Sequence, residues 1–152
     1  MKTVIRPATP ADLPVLLEFE KGIIATERPF DPTLKSGEIH YYDLLQLIQS
    51  TEAEVLVAEA GGQVVASGFV KILRGEPWQA FEHFGYLGFM YTQPAFRGQG
   101  INKQILEQLT AWAKSRNLTE LRLDVYNENT GARTAYQKAG FKPELLRMRL
   151  GI

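Results

Sequence analysis

Residues 93–102 read QPAFRGQGIN, a glycine-rich turn that follows an apolar run and leads directly into an amphipathic helix. The first backbone N–H groups of a helix have no partner within the helix, and the helix dipole adds about half a positive charge there. Such a turn can bind an anion through its backbone, and Gly98 and Gly100 allow a large anion to come close. The pattern predicts a phosphate-binding loop. An ordinary strand-to-helix turn is the alternative interpretation.

Hydrophobic periodicity on both sides of this loop alternates between strand and helix. The aromatic run at 83–92, whose glycines permit a bulge, predicts the strand that enters the loop. A Gly-Gly turn at 61–62 between two apolar runs indicates a hairpin. The other expected elements are a strand at 3–6, helices near 10–25 and 41–48, a helix after the loop, a strand at 121–125, a helix near 129–138, and one or two strands within 141–150.

This order of elements favours a single α+β domain spanning residues 1–152, arranged as a three-layer α/β sandwich. We expect a mixed, mostly antiparallel central sheet of six to seven strands, flanked by about four helices. A chain of 152 residues with 45% hydrophobic composition is long enough for one sizeable core. The order matches neither a doubly wound sheet nor a barrel.

Composition excludes several classes of function. A formal net charge of zero argues against a nucleic-acid partner. No apolar stretch reaches the roughly 18 residues of a membrane span and the first residues lack a secretion signal, so a cytoplasmic protein without a membrane partner is expected. The absence of cysteine excludes disulfides, thiolate zinc sites and a cysteine acyl-enzyme, and no metal site is predicted.

Charge is divided unevenly along the chain. Residues 1–76 contain 7 Lys/Arg and 11 Asp/Glu, whereas residues 77–152 contain 10 and 6. The net charges are therefore −4 and +4. A polyanionic ligand near the C-terminal half, which holds the glycine-rich loop, and a cationic ligand near the N-terminal half would both suit this asymmetry.

Two motifs resemble the GNAT superfamily of N-acetyltransferases. YTQPAFRGQGI at 91–101 is similar to that family's acetyl-CoA motif, an Arg or Gln followed by x-x-G-x-G/A after a strand. LDVYNENTGA at 123–132, continuing to AYQKAGF at 135–141, is similar to its strand-Asn-x-x-Ala-helix-Tyr-x-x-x-Gly-Phe pattern. Both occur in the expected order and the resemblance covers essentially the whole chain. One departure is Asn102, which stands where the family has a third small residue.

The resemblance implies acetyl-CoA as co-substrate and no metal. The loop amides would bind its pyrophosphate, the backbone of the preceding strand would pair with the pantetheine amides, and Asn129 would contact the pantetheine arm or serve only as a helix N-cap. Arg97 would position the loop or the phosphates, with a solvated surface arginine as the alternative. The implied cofactor-binding residues are Met90, Tyr91, Thr92, Arg97, Gly98, Gln99, Gly100, Ile101, Asn102, Asn129 and Tyr136.

Tyr136 lies seven residues after Asn129, where the family commonly has a tyrosine that protonates the departing thiolate; a core aromatic beside Phe141 is the alternative. Glu82 and His83 enter the strand that leads to the loop and are the candidate general bases by position. Without a cysteine, the expected mechanism is direct attack in a ternary complex. Developing charge on the thioester oxygen would be met by a backbone N–H near Met90 or Tyr91.

The acceptor is expected to contact the loop and helix that follow the first helix. This region mixes acidic and aromatic residues, a composition that favours a cationic amine. The candidate substrate-binding residues are Glu27, Phe30, Asp31, Tyr41 and Tyr42.

The sequence therefore predicts an enzyme that transfers an acetyl group from acetyl-CoA to a primary amine of a small amine, an amino acid derivative or a peptide. A catalytically degenerate CoA-binding sensor or interaction module is the alternative. A nucleotide-binding protein is disfavoured because the loop lacks the Gly-Lys-Ser/Thr ending of a P-loop. Pairing of the C-terminal strands into a homodimer is a further prediction.

Overall fold

The computed structural model describes residues 2–152 and contains a mixed five-stranded sheet. The strands lie in chain order across the sheet, β1 to β4 antiparallel and β5 parallel to β4. The strands are β1 (Thr3–Pro7), β2 (Ala53–Ala60), β3 (Gln63–Arg74), β4 (His83–Thr92) and β5 (Leu121–Arg122), and the α-helices are α1 (Leu13–Glu27), α2 (Leu44–Gln49), α3 (Ile101–Ser115) and α4 (Thr130–Lys138).

The predicted class, mixed and mostly antiparallel with four α-helices, is confirmed, but the sheet has five strands rather than six to seven. The strands predicted within 141–150 are absent, since residues 139–152 contain neither helix nor strand. The side chains of Leu146, Met148 and Leu150 in this segment are 64%, 84% and 85% exposed. A strand needs a neighbouring strand to pair with. The strand expected at 121–125 is also shorter than predicted, because β5 contains only two residues.

Helices cover both faces of the sheet. The buried positions of α3 recur at helical spacing and pack on one face with Leu87 of β4, and α1 and α2 pack on the other face with Phe89. No helix in the described part of the chain is long and apolar enough to cross a bilayer. The buried side chains of α3 are Ile101, Ile105, Leu106, Leu109 and Ala113.

A β-bulge interrupts β4. Phe69 pairs with Gly88 and Ser67 pairs with Tyr91, so Gly68 lies opposite two residues of β4. Phe89 has a φ of +57°, which is uncommon for a residue other than glycine. One inserted residue reverses which face of the sheet each later side chain joins.

β4 and β5 separate shortly after they pair. Their ladder contains only Gly85 with Leu121 and Tyr86 with Arg122, after which the chain at 123–129 is no longer a strand. Residues 87–92 of β4 consequently have β3 as a neighbour on one side and no strand on the other. The fork places an open backbone edge directly before the glycine-rich loop.

Candidate active site

The glycine-rich loop has the predicted position, between the end of β4 and the start of α3. Gly98 and Gly100 both have a φ of +78°, and no atom lies within 4 Å of where a Cβ would stand on either. Gly100 is the N-cap of α3 and supplies no side-chain cap. Space above the loop and uncapped N–H groups at the helix start both suit a bound anion.

Arg97 fastens this loop to the end of β4. Its Nε donates a hydrogen bond of 2.8 Å to the Thr92 carbonyl oxygen, and its guanidinium lies 5.7 Å from the centre of the Tyr91 ring. The contact supports a loop-positioning role for Arg97, although the residue is exposed. Asn102 is half-buried in the first turn of α3, and Gln99 is exposed.

The side chains at the end of β4 point into the protein core and not into the fork. Met90 packs in the α3 layer, and the Tyr91 ring lies 4.8 Å from the Phe19 ring. A Cβ on Gly22 would lie 2.7 Å from that Tyr91 ring, so α1 crosses β4 in close contact. The buried Thr92 Oγ1 has no hydrogen-bond partner within residues 2–152. This arrangement leaves the backbone of β4, rather than its side chains, exposed at the fork.

Ser67 stabilises the bulge. Its hydroxyl donates a 2.9 Å hydrogen bond to the Phe89 carbonyl oxygen, and both residues are almost fully buried. The Phe89 ring lies 5.3 Å from the Tyr42 ring in an edge-on arrangement. Sequence reasoning missed Ser67, although a serine within an otherwise apolar strand was the available signal.

Two predicted residues of the second motif lie on α4. Asn129 is the N-cap, with its Oδ1 accepting a 3.3 Å hydrogen bond from the Ala132 N–H, so the capping alternative is confirmed and the ligand role stays a prediction. Tyr136 packs edge-on against Phe141, with ring centres 5.9 Å apart. Burial, with a smaller contribution from Glu27, raises the pKa of the Tyr136 hydroxyl to about 12. Tyr136 is therefore a protonated donor at neutral pH.

The predicted substrate-binding residues come together on the α1 side of the fork. Asp31 accepts a 2.6 Å hydrogen bond from the Tyr126 hydroxyl, and the Phe30 ring lies 6.2 Å from the Tyr126 ring. The Tyr41 and Tyr42 rings pack edge-on at 5.8 Å. Sequence reasoning did not place Tyr126 here, because it lies 95 residues from Asp31 in the chain.

Two carboxyl groups in this cluster have opposite pKa shifts. Burial raises the pKa of Glu27, the last residue of α1, against the smaller lowering effect of a hydrogen bond from Tyr41, and the Asp31 carboxylate adds to the rise. Hydrogen bonds from Thr33 and Tyr126 lower the pKa of Asp31. Another contact brings Tyr86 into the cluster, where its hydroxyl donates a 3.0 Å hydrogen bond to Asp124 across the fork.

A buried carboxylate holds the segment that carries the two tyrosines. Glu20 is 0% exposed and accepts hydrogen bonds from the backbone N–H groups of Tyr41, at 2.9 Å, and Tyr42, at 3.0 Å. The His40 Nδ1 lies 2.7 Å from Glu20 Oε1, and this hydrogen bond raises the pKa of His40. No group of three or more His, Asp or Glu side chains that could hold a metal ion occurs in residues 2–152.

Glu82 and His83 lie apart from these groups. Both are exposed at the start of β4, and His83 precedes Phe89 by six residues, or about 20 Å along an extended strand. Neither side chain makes a hydrogen bond or an ion pair with the rest of the described chain. Their role as general base stays a prediction, and the fold does not bring them to the fork.

Comparison with known sequences identifies one family. The model of the acetyltransferase (GNAT) family matches residues 23–141. An aminoglycoside N(6')-acetyltransferase type 1 from Stenotrophomonas maltophilia is 29% identical over 142 residues, which cover 91% of this chain and 85% of that protein.

Solved structures share the fold. An aminoglycoside 6'-N-acetyltransferase from Acinetobacter haemolyticus superposes with a TM-score of 0.75 at 23% identity, covering 98% of this chain and 99% of that one. A predicted acetyltransferase with acetyl-CoA from Clostridium acetobutylicum superposes with a TM-score of 0.74 at 22% identity, covering 99% and 96%.

Proposed function

Because this chain belongs to the acetyltransferase (GNAT) family, we propose that it transfers the acetyl group of acetyl-CoA to a primary amine by direct attack in a ternary complex. The observation that best supports this proposal is the fork between β4 and β5. It leaves an unpaired strand edge beside the glycine-rich start of α3, which has no side-chain cap. The chain has no cysteine, so a covalent cysteine acyl-enzyme is not part of the mechanism.

The residues around the fork fit acetyl-CoA as co-substrate. The backbone N–H groups of residues 97–102 would bind the pyrophosphate. The free backbone edge of Met90, Tyr91 and Thr92 would pair with the pantetheine amides as an added strand does. Asn129, at the start of α4, would contact the pantetheine arm through its side-chain NH2 group, which the capping hydrogen bond does not use.

Tyr136 would protonate the CoA thiolate as the C–S bond breaks. Its raised pKa keeps the hydroxyl protonated at neutral pH, so it has a proton to donate to the thiolate as that group forms. A backbone N–H at the bulge near Met90 or Tyr91 would stabilise the developing oxyanion. Ser67, through its bond to the Phe89 carbonyl, would hold that backbone in place.

The acceptor would be a small cationic amine. Glu27 and Asp31 supply negative charge, and Phe30, Tyr41 and Tyr42 supply aromatic faces that attract an ammonium group. Aminoglycosides, which the Stenotrophomonas relative acetylates by its description, are polycationic amines of this chemistry. Amino acid derivatives and peptide amines are the other members of the proposed class.

Thiol release from acetyl-CoA tests the proposal. Because the chain contains no cysteine, a thiol reagent reports free CoA alone. Kanamycin A, spermidine, single amino acids and a short peptide would be compared, with acetyl-CoA binding measured separately by calorimetry. Acceptor-dependent release with a mass gain of one acetyl group on the amine supports the enzyme. Tight binding of acetyl-CoA without release on any acceptor would support the sensor alternative instead.

The homodimer stays a prediction. The large apolar side chains exposed near the C-terminus give it physical support, because an uncovered surface of this kind is unfavourable in water. Sedimentation equilibrium of the whole chain would show either two copies or one. These side chains are Leu145, Leu146, Met148, Leu150 and Ile152.

A further inference from the structure

Glu27 lies in the cluster that is proposed to bind the acceptor. It ends α1, is half-buried, and is followed at once by the turn that carries Phe30 and Asp31. Burial and, to a smaller extent, the Glu27 carboxylate raise the pKa values of five nearby tyrosines. These are Tyr41, Tyr42, Tyr86, Tyr126 and Tyr136.

The surroundings of Glu27 reach both parts of the proposed reaction centre. Tyr42 packs against Phe89, the residue that forms the bulge. Tyr136 is the proposed general acid. Tyr126 belongs to the same cluster, because its hydroxyl donates a hydrogen bond to Asp31. Glu27 lies in the chain between Gly22, which packs against Tyr91 of β4, and Asp31, which bonds Tyr126, and this places it beside the fork.

Glu27 has fewer hydrogen-bond partners than the neighbouring Asp31. Asp31 accepts hydrogen bonds from both Thr33 and Tyr126. Glu27 has no ion pair within residues 2–152, and its one hydrogen-bonding neighbour is the otherwise unpartnered Tyr41 hydroxyl. Glu27 is thus a carboxylate with lone pairs free for a ligand.

We propose that Glu27 receives the proton that the acceptor amine must lose, and this inference rests on the proposed function. The ammonium transfers one proton to the Glu27 carboxylate, and the freed nitrogen attacks the thioester carbon. As the new C–N bond forms and the C–S bond breaks, the Tyr136 hydroxyl protonates the thiolate. The resulting phenolate takes the second proton from nitrogen. Glu27 then releases its proton to solvent, so the products are the amide, CoA and one proton.

The chemistry of an alkylamine requires such a group. With a pKa near 10.4, fewer than about one lysine-like amine in a thousand is unprotonated at pH 7. A base works best when its pKa is close to the working pH, and burial raises the pKa of Glu27 in that direction despite the opposing hydrogen bond from Tyr41. The raised pKa values of the five neighbouring tyrosines keep them neutral, so the charged groups facing Glu27 are Asp31 and the bound amine.

Glu27→Gln, which keeps the shape and removes the charge, tests this role. Using the acceptor identified in the thiol-release assay, we expect kcat/KM at pH 7 to fall about 100-fold, the lower range for a general base. The fall should shrink toward high pH, where the free amine accumulates in solution. Acetyl-CoA affinity should remain within twofold. The Glu27→Asp variant should keep the fall of kcat/KM toward acidic pH, the acidic limb of the pH profile, with a lower kcat/KM throughout.

Glu18→Gln is the matched control, because Glu18 is an exposed acid on the same helix and pairs only with Lys21. It should leave both kcat/KM and its pH profile unchanged. Acetyl-CoA binding and the thermal midpoint of each variant would report whether it folds. Glu27→Asp provides the test if Glu27→Gln does not fold.

Three outcomes would overturn the role of Glu27 while leaving the proposed function intact. One is a Glu27→Gln enzyme with the wild-type pH profile. Another is a rise in KM alone, which would make Glu27 a binding residue. The third is loss of the acidic limb in Glu82→Gln or His83→Gln instead. If the unmodified protein releases no CoA with any acceptor, the proposed function fails and this role fails with it.

Discussion

The two sides of the fork are built in different ways. The proposed co-substrate side consists mainly of backbone from one contiguous stretch, the β4 edge at 87–92 and the loop at 93–100. The proposed acceptor side consists of side chains from the end of α1, the segment before α2, β4, the chain after β5, and α4. Only the first can be recognised from a single local motif.

This difference has a physical consequence for tolerance to substitution. A backbone site depends on φ and ψ and on space, so the exposed side chain of Gln99 is free to vary. A side-chain site depends on the identity and charge of each group, and one substitution such as Glu27→Gln changes it. We therefore expect substitutions on the two sides to alter different measured constants.

The largest effect is expected for Tyr136→Phe, which removes the proposed acid at the junction of the two sides. General acid catalysis contributes about 100-fold or more, so kcat should fall by about that factor while the Kd for acetyl-CoA changes less than twofold. Thiol-release assays would measure kcat, and calorimetry would measure the Kd for acetyl-CoA. A wild-type kcat would remove Tyr136 from the mechanism and leave it as a packing partner of Phe141.

A smaller effect, confined to the co-substrate side, is expected for Gly100→Ala. The added Cβ meets no atom, but the φ of +78° costs a residue other than glycine roughly 1–2 kcal/mol, and the loop would relax away from the anion-binding form. We expect the Kd for acetyl-CoA to rise about tenfold, the equivalent of about 1.4 kcal/mol.

Gly62→Ala is the matched control for that experiment. Gly62 has a φ of +76° and equally open space, but lies in the hairpin between β2 and β3. Both variants should lose similar stability, and only Gly100→Ala should lose acetyl-CoA affinity. Equal affinities for the two variants would contradict a phosphate-binding role for the loop.

Ser67→Ala should have a moderate effect on stability with a smaller one on rate. It leaves the buried Phe89 carbonyl oxygen without its 2.9 Å hydrogen bond, at a cost of about 1 kcal/mol, or about 2–4 °C in thermal midpoint. Ser115→Ala, which removes an exposed hydroxyl bonded to the Trp112 carbonyl, should change the midpoint far less. Similar losses for the two variants would show that the bulge does not depend on Ser67.

The smallest effect is a pH dependence from His40. Its pKa is raised, chiefly by the hydrogen bond to Glu20, so protonated His40 stabilises the fold. This contribution is complete below the unfolded pKa of about 6.5 and is lost as the pH rises through the folded value. Thermal midpoints between pH 5.5 and 8.5 should fall more for the unmodified protein than for His40→Gln. His83→Gln should keep the wild-type slope.

Much of the fold was predictable from local patterns. The hairpin, the strand with a bulge and the loop before α3 each follow from residues adjacent in the chain. The predicted C-terminal strands were wrong. A strand forms only where another strand pairs with it, and residues 139–152 have no such partner strand. The general-base role of Glu82 and His83 stays a prediction, which was made from their position along β4, and both side chains are exposed at the start of that strand.

By itself, the sequence determined the class of sheet, the glycine-rich turn and the position of Tyr136, since these depend on hydrophobic period, glycine conformation and spacing along one helix. Only the tertiary structure decided that β4 and β5 part after two pairs, that Ser67 holds the bulge, and that Glu27 lies among five tyrosines. Those features join residues distant in the chain, and such contacts exist only once the core has packed around them.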